Sequence, residues 1–125
     1  MSPSFISRLL ALGSRATALH STVRQFKHFA IAFRGGHIIK VAANKRVEGL
    51  SDVFSLHAEE ALLLKLRKIN ALRRYKDVEV FLGRSGPFGF LLSAPCHNCE
   101  ELLKQAGIKR VYYTGVDGIE YKGWL

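Results

Sequence analysis

The hydrophobic positions of the chain switch between a helical period and a strand period. Residues 4–24 carry apolar side chains at helical spacing, which predicts a first helix. Two apolar, β-branched segments at 28–34 and 37–43 flank Gly35-Gly36, and a glycine pair in that position is a strong signal for an antiparallel hairpin. The polar residues 44–55 are typical of a loop.

The second half of the chain continues this alternation. Residues 57–73 predict a helix, VEVFL at 78–82 a strand, GRSGPFG a loop and GFLLS a short extended run. Residues 97–106 predict another helix that ends at Gly107, followed by the strand RVYYTG and a last short strand in IEYKGWL. Helices alternating with strands predict an α/β fold in which helices cover a sheet.

The length and composition predict one globular unit. The chain has 125 residues, of which 48% are hydrophobic, and this suits one domain with one core over residues 1–125. We divide it into a basic N-terminal helix, 1–24, and a core, 25–125. No apolar run approaches the roughly 18–20 residues that span a bilayer, so we expect a soluble protein without a membrane partner.

The charge is concentrated in the first third of the chain. The formal net charge is +9, and residues 1–47 contain eight Lys or Arg and no Asp or Glu. The remaining eleven bases are nearly balanced by all ten acids. A basic surface of this kind suits a polyanion or a phosphorylated substrate, and a solvated basic helix without a partner is the alternative.

The N-terminal segment has two interpretations. It is rich in Ser and Arg and free of acids, which is typical of a mitochondrial transit peptide over residues 1–25. It also fits a basic amphipathic helix packed on a sheet, which we favour because one sheet face would otherwise lack cover. With only two cysteines, the chain is expected in the cytoplasm or another reducing compartment.

Metal-binding side chains occur at the predicted starts of two helices. His57 opens one helix, and Cys96 and Cys99 lie at the turn that opens another. A Cys-x-x-Cys pair alone is also compatible with a redox dithiol, a disulfide or a zinc knuckle. Together with one imidazole it offers three zinc ligands, and a fourth position left open is typical of catalytic rather than structural zinc. His97 is a possible fourth ligand, but it lies between the two cysteines and is expected to point outward.

Glu59 has the position of a proton carrier. It follows His57 by two residues, so we predict that it lies near the metal without binding it. Zinc lowers the pKa of bound water to about 7, and a neighbouring carboxylate can take the proton and deliver it to a leaving nitrogen. His-x-Glu followed by Pro-Cys-x-x-Cys is the known pattern of zinc-dependent nucleobase deaminases.

On these motifs the sequence resembles the cytidine deaminase superfamily over about residues 28–116, and looks closest to its small viral or toxin-like members. His57-Ala58-Glu59, the segment Ser93 to Cys99, Asn44 and GIKRVYYTG carry the resemblance. It implies a three-layer helix–sheet–helix sandwich with a mixed five-stranded sheet, zinc bound by His57, Cys96 and Cys99, and proton transfer by Glu59.

The resemblance also implies the substrate contacts. Asn44 stands where the family often places an asparagine that contacts the substrate sugar, although an asparagine after a strand is also a common turn residue. The backbone N–H groups of Ala58 and Cys96 would hold the base. We group Ser93, Phe54 and Phe88 with these predicted contacts, since an aromatic ring can stack on a base.

Three functions remain open from the sequence. The first is deamination of cytosine in single-stranded DNA or RNA, with phosphates bound by Arg24, Lys27, Lys45 and Arg46, and the basic charge slightly favours it. The second is deamination of a free cytidine nucleoside or nucleotide, by an enzyme that forms a homo-oligomer. The third is a non-catalytic zinc-binding module. The short hairpin-like end, VYYTGVDGIEY, is more similar to the cytidine, toxin and viral branches than to the deoxycytidylate branch.

Overall fold

A computed structural model describes residues 2–20, 27–46, 55–74, 77–86, 89–91, 93, 95, 97–115 and 118–123. Its helices are α1 (Pro3–His20), α2 (Ala58–Lys68), α3 (Ala71–Arg74) and α4 (His97–Gln105). Its strands are β1 (Lys27–Arg34), β2 (His37–Ala43), β3 (Lys45–Arg46), β4 (Ser55–Leu56), β5 (Glu79–Gly86), β6 (Gly89–Leu91), β7 (Arg110–Gly115) and β8 (Gly118–Gly123).

Five strands form a mixed sheet in the order β2-β1-β5-β7-β8. The pairings β2–β1, β1–β5 and β7–β8 are antiparallel, and β5–β7 is parallel. Strand β6 pairs with the end of β5, and β3 and β4 form a separate short ribbon. A parallel pair requires a crossover between its strands, and α4 lies on the crossover from β5 to β7.

The two faces of the sheet bury different side chains, because successive residues of a strand point to opposite faces. Helix α1 packs on one face, where Leu9 meets the aromatic and branched residues of β1 and β5. Helices α2 and α4 cover the other face, where their leucines meet smaller residues such as Ala30 and Val80. The result is the predicted helix–sheet–helix sandwich.

The structure confirms the hairpin around Gly35-Gly36 and corrects three boundaries. The predicted helix 57–73 is divided in two, because Asn70 adopts φ 53° and interrupts the α-helical backbone. The predicted loop GRSGPFG is partly strand, since β5 continues to Gly86 and turns back into β6. The predicted loop 44–55 contributes short strands at both of its ends. Residues 21–24 of the predicted first helix lie outside the described part of the chain.

Helix α1 approaches the sheet closely where Phe29 lies between two glycines. The Phe29 side chain is fully buried, and its ring stacks on Phe81 with 6.2 Å between the ring centroids. A Cβ added to Gly13 on α1 or to Gly83 on β5 would collide with this ring. The absence of side chains at both positions therefore allows α1 to cover β1 and β5.

We expect Gly13→Ala to destabilise the protein by about 1–3 kcal/mol, although alanine favours helices over glycine, because the added methyl group overpacks the Phe29 site. Gly36→Ala is the control, since a Cβ there meets no atom within 4 Å. Urea unfolding should show a lower midpoint for Gly13→Ala. A midpoint equal to or above that of the wild type would contradict the close approach of α1.

Candidate functional site

The starts of two helices meet at one end of the sheet. His57 adopts an extended conformation immediately before α2, and Cys99 lies in the first turn of α4. The His57 Nδ1 and Cys99 Sγ atoms are 3.3 Å apart, although 42 residues separate them in the chain. The thiol is buried and the imidazole is exposed, so one side of the pair faces the outside.

This pair fits zinc. Zinc–nitrogen bonds of ~2.0–2.1 Å and zinc–sulfur bonds of ~2.3 Å at a tetrahedral angle place the two donor atoms about 3.5 Å apart, close to the observed separation. One oxygen of Glu60 completes a group in which the three potential ligand atoms lie within 4.8 Å of one another. Cys96, the third predicted ligand, lies outside the described residues.

Adjacent glutamates at the start of α2 have different surroundings. A Glu60 carboxylate oxygen accepts a hydrogen bond from the His57 backbone N–H at 3.2 Å, which is one half of a capping box. Our sequence interpretation did not single out Glu60, and the spacing of a cap residue and a glutamate three positions later is the signal that could have found it. Glu60 therefore caps α2 and also lies close to His57 and Cys99, the predicted metal ligands.

Glu59, the predicted proton carrier, is buried at 7% exposure. Among the described residues, none forms a hydrogen bond or ion pair with its carboxylate. Its carboxylate oxygens are not among the fully buried polar atoms without a partner, so the carboxylate keeps some contact with solvent. Ala58, whose backbone N–H is predicted to hold the base, is fully buried between Glu59 and His57.

Asn44 links the first two strands at the same end of the sheet. Its backbone N–H donates to the His28 carbonyl at 3.0 Å, and its side-chain oxygen accepts from the His28 backbone N–H at 3.1 Å. Asn44 is buried at 7% exposure. The side-chain oxygen therefore has a structural role in continuing the β1 pairing beyond β2, and the contact with a substrate sugar stays a prediction.

Two further basic groups lie beside His57 and Cys99, which we call the metal pair. His28 faces Arg84 across β1 and β5, and both side chains point to the face covered by α2, because they alternate with Phe29 and Gly83. Burial lowers the pKa of His28, and the positive charges of Arg84 and His57 lower this pKa further. The lowered pKa favours the neutral form of His28.

Ser93 is part of a buried hydrogen-bond network. Its hydroxyl lies 3.0 Å from the Leu82 carbonyl and 2.7 Å from the Thr114 hydroxyl, and it accepts from the Thr114 backbone N–H at 3.0 Å. The Ser93 backbone N–H donates to the Thr114 carbonyl at 2.9 Å. This network fixes Ser93 to β5 and β7. A contact between Ser93 and substrate stays a prediction.

The other predicted contacts stay predictions. Lys27 begins β1 and is half-buried, and Lys45 and Arg46 form β3. The remaining predicted nucleic-acid or substrate contacts, Arg24, Phe54 and Phe88, lie outside the described residues. The described part of the site therefore consists of the metal pair, the two glutamates, Asn44, and the His28–Arg84 pair.

A family model matches this arrangement over almost the whole chain. Residues 4–115 match the cytidine and deoxycytidylate deaminase zinc-binding region. The fold and the site define a zinc-dependent deaminase. The chain belongs to the cytidine and deoxycytidylate deaminase family. A search of curated protein sequences gives no match.

Solved structures share the fold at low sequence identity. The deoxycytidylate (dCMP) deaminase of the cyanophage S-TIM5 has a TM-score of 0.67 and 24% identity, over 92% of this chain and 86% of the phage chain. The cytidine deaminase of Burkholderia pseudomallei has a TM-score of 0.71 and 14% identity, over 98% and 93%. That of Mycobacterium leprae has a TM-score of 0.66 and 17% identity, over 93% and 92%.

These likenesses confirm the predicted fold class. None of the described helices is long and apolar enough to cross a bilayer.

Metal content should separate the predicted ligands from their neighbours. We expect Cys99→Ser to lose most of its zinc and to unfold at a lower denaturant concentration, because metal binding and folding are coupled. His97→Ala is the matched control, since His97 is an exposed residue on the same helical turn. Zinc per chain is measured by elemental analysis of the purified variants. A full equivalent of zinc in Cys99→Ser would refute this ligand.

Proposed function

We propose that the protein hydrolyses the amino group of cytosine in a free nucleotide, deoxycytidylate or cytidylate, and releases uracil nucleotide and ammonia. The observation that carries the proposal is the 3.3 Å His57–Cys99 pair, with Glu59 buried in the first turn of α2, two residues after His57. The membership of a deaminase family supports the reaction. A second structure of the similar phage enzyme contains dCMP and dUMP, which supports a free nucleotide as the substrate class.

His57 and Cys99, with Cys96 as the predicted third ligand, would hold the metal. When bound, zinc supplies the Lewis acidity that lowers the pKa of water to about 7 and so provides a nucleophile at neutral pH. The N-terminal end of α4 favours the thiolate form of Cys99, because the helix dipole is positive at that end.

Glu59 is proposed to move the proton between the two reacting groups. Its carboxylate takes a proton from the attacking water as the water oxygen bonds to C4 of cytosine. The acid then delivers a proton to the amino nitrogen, so that the C4–N bond breaks and ammonia leaves. The low exposure of Glu59 limits competing exchange with bulk water, and the exposed side of the His57 ring provides access for the substrate.

Arg84 is proposed to bind the phosphate of the nucleotide, with His28 as its neighbour. Arg84 lies on the face covered by α2, and its charge acts on His28, which faces it across β1 and β5. A guanidinium group binds phosphate through two parallel hydrogen bonds, which suits a phosphomonoester. Asn44 is connected to the His28–Arg84 pair, because its side-chain oxygen accepts a hydrogen bond from the His28 backbone N–H.

The described contacts do not favour the polynucleotide hypothesis over a free nucleotide. That hypothesis depended on basic residues of which only Lys27 has a described side chain, together with the charge of the first third of the chain.

The two-part division into helix 1–24 and core 25–125, and assembly into a homo-oligomer, are retained as proposals. Elution volume in size-exclusion chromatography tests the oligomer.

We expect Glu59→Gln to retain zinc and fold while kcat for deoxycytidylate falls by about 10²–10⁴, the usual contribution of general acid–base catalysis. Glu60→Gln is the matched control on the neighbouring residue. Glutamine at that position still accepts the His57 N–H bond, so its kcat should stay within a few-fold of the wild type. Formation of the uracil nucleotide is followed by liquid chromatography.

The opposite result has a clear meaning. If Glu60→Gln loses turnover or zinc while Glu59→Gln remains active, the two glutamates have exchanged the proposed roles, and Glu60 acts at the metal.

Removing the Arg84 charge should distinguish nucleotide from nucleoside. For Arg84→Gln we expect kcat/KM for deoxycytidylate to fall at least tenfold and kcat/KM for deoxycytidine to change less than threefold, because only the nucleotide carries the phosphate. Arg73→Gln, at an exposed position of α3, is the control. Equal losses of kcat/KM for deoxycytidylate and deoxycytidine would show that Arg84 has a structural role and does not bind the phosphate. Turnover by the wild type of a cytosine-containing oligomer alone would exclude the free nucleotide.

A further inference from the structure

A cavity of about 640 Å³ lies far from the metal pair. It opens between the start of α1, the β1–β2 turn and the strands β5 and β7, and we call it the α1 groove. Phe5, Arg8, Phe33, Glu79 and Tyr112 are among its lining residues. Its volume falls within the roughly 300–1,000 Å³ of small-molecule sites.

The α1 groove is on the opposite face and at the opposite end of the strands from the metal pair. Phe33 and Tyr112 belong to the hydrophobic cluster beneath α1, whereas the metal ligands lie on the side of α2 and α4. Along β1, Phe33 is near the last residue and His28 near the first. A ligand in the groove therefore does not occupy the deaminase site.

Aromatic rings form one side of the α1 groove and continue beyond it. Phe5 contacts Phe33 edge to face at 5.5 Å between centroids, and the Phe33 and Tyr112 centroids are 6.0 Å apart. Tyr121 follows at 5.8 Å from Tyr112 and is 62% exposed. Phe33 is buried, but Phe5 and Tyr112 retain accessible surface. Partly exposed rings next to a cavity are stacking surfaces for a planar base.

Charges of both signs surround these rings. Arg8 is exposed and lines the cavity. The first turn of α1 contains no acid to offset the positive end of its dipole, so this end of the groove suits an anion. Glu79 is the acid of the groove, and its charge is partly offset by the Arg110 guanidinium at 3.6 Å. Arg110 also lies over the Tyr121 ring, 5.7 Å from its centroid.

We propose that the α1 groove is a second ligand site that binds a nucleoside phosphate, with the base against Phe5 and Tyr112 and the phosphate at Arg8. Glu79 accepts hydrogen bonds only, so it favours a base with an exocyclic amino group, such as adenine, over uracil. The same chemistry is offered by a free nucleotide and by a nucleotide within a single strand.

The test is calorimetric titration of the full zinc-loaded chain with adenosine monophosphate. We expect saturable binding, at least tenfold weaker binding of adenosine and of inorganic phosphate, and weaker binding of uridine monophosphate. Arg8→Gln should weaken binding of adenosine monophosphate at least tenfold. Arg15→Gln is the matched control, because Arg15 is exposed on the same helix two turns away and does not line the groove.

Further variants separate this site from the deaminase site and from general charge attraction. Arg8→Gln should leave deamination of deoxycytidylate unchanged. Phe5→Leu retains an apolar side chain but removes the ring, and should also weaken binding of adenosine monophosphate. Glu79→Gln should reduce the preference for adenosine over uridine monophosphate. These outcomes hold whether or not the proposed deamination is correct, since the groove is remote from the metal pair.

Binding of a short deoxyadenosine oligomer distinguishes a site for a free nucleotide from a site for a nucleotide within a single strand. If the oligomer binds more tightly than the mononucleotide and Arg8→Gln weakens it, the groove binds a single strand. If it does not compete with adenosine monophosphate, the groove binds free nucleotides. The proposal is overturned if adenosine monophosphate shows no binding at millimolar concentration, if Arg8→Gln and Phe5→Leu bind it like the wild type, or if phosphate alone binds as tightly.

Discussion

The contact between His57 and Cys99 is the constraint on which the rest of the site depends. Each residue stands at a helix start, and the two helices reach one end of the sheet only because β5 and β7 pair in parallel with α4 between them. The Ser93–Thr114 network supports this by holding Ser93, four residues before the start of α4, against β7. A local change in strand pairing would therefore alter the metal site directly.

The two faces of the sheet divide the chemistry of the molecule. The face toward α2 and α4 carries small aliphatic side chains in its centre and the metal pair, Glu59 and Arg84 at one end. The face toward α1 carries a hydrophobic cluster that is rich in aromatic rings. Because Phe29 lies directly against Gly13 and Gly83, α1 is held close to the sheet, and the start of α1 is positioned beside Phe33 and Tyr112.

Local patterns predicted most of the elements, since their causes are local. The glycine pair specifies the β1–β2 turn. The sequence could propose His57, Glu59 and Cys99 as site residues because each belongs to a short motif at a helix start, and the structure brings His57 and Cys99 within 3.3 Å of each other. The extension of β5 to Gly86 was missed, because it depends on pairing with β6 and not on the composition of GRSGPFG. The break at Asn70 was missed for a similar reason, since asparagine only permits a positive φ.

The His28–Arg84 pair and the α1 groove could not be predicted from spacing, because each joins residues from separate strands or helices. The long separation of His57 and Cys99 has a different consequence. A metal bound by both residues is a cross-link that closes a loop of 42 residues, and chain entropy opposes this closure by about 3 kcal/mol. The ion binds the native chain in preference to the unfolded one, so the folded fraction rises with free zinc concentration. Zinc limitation would then lower the amount of folded protein as well as its turnover.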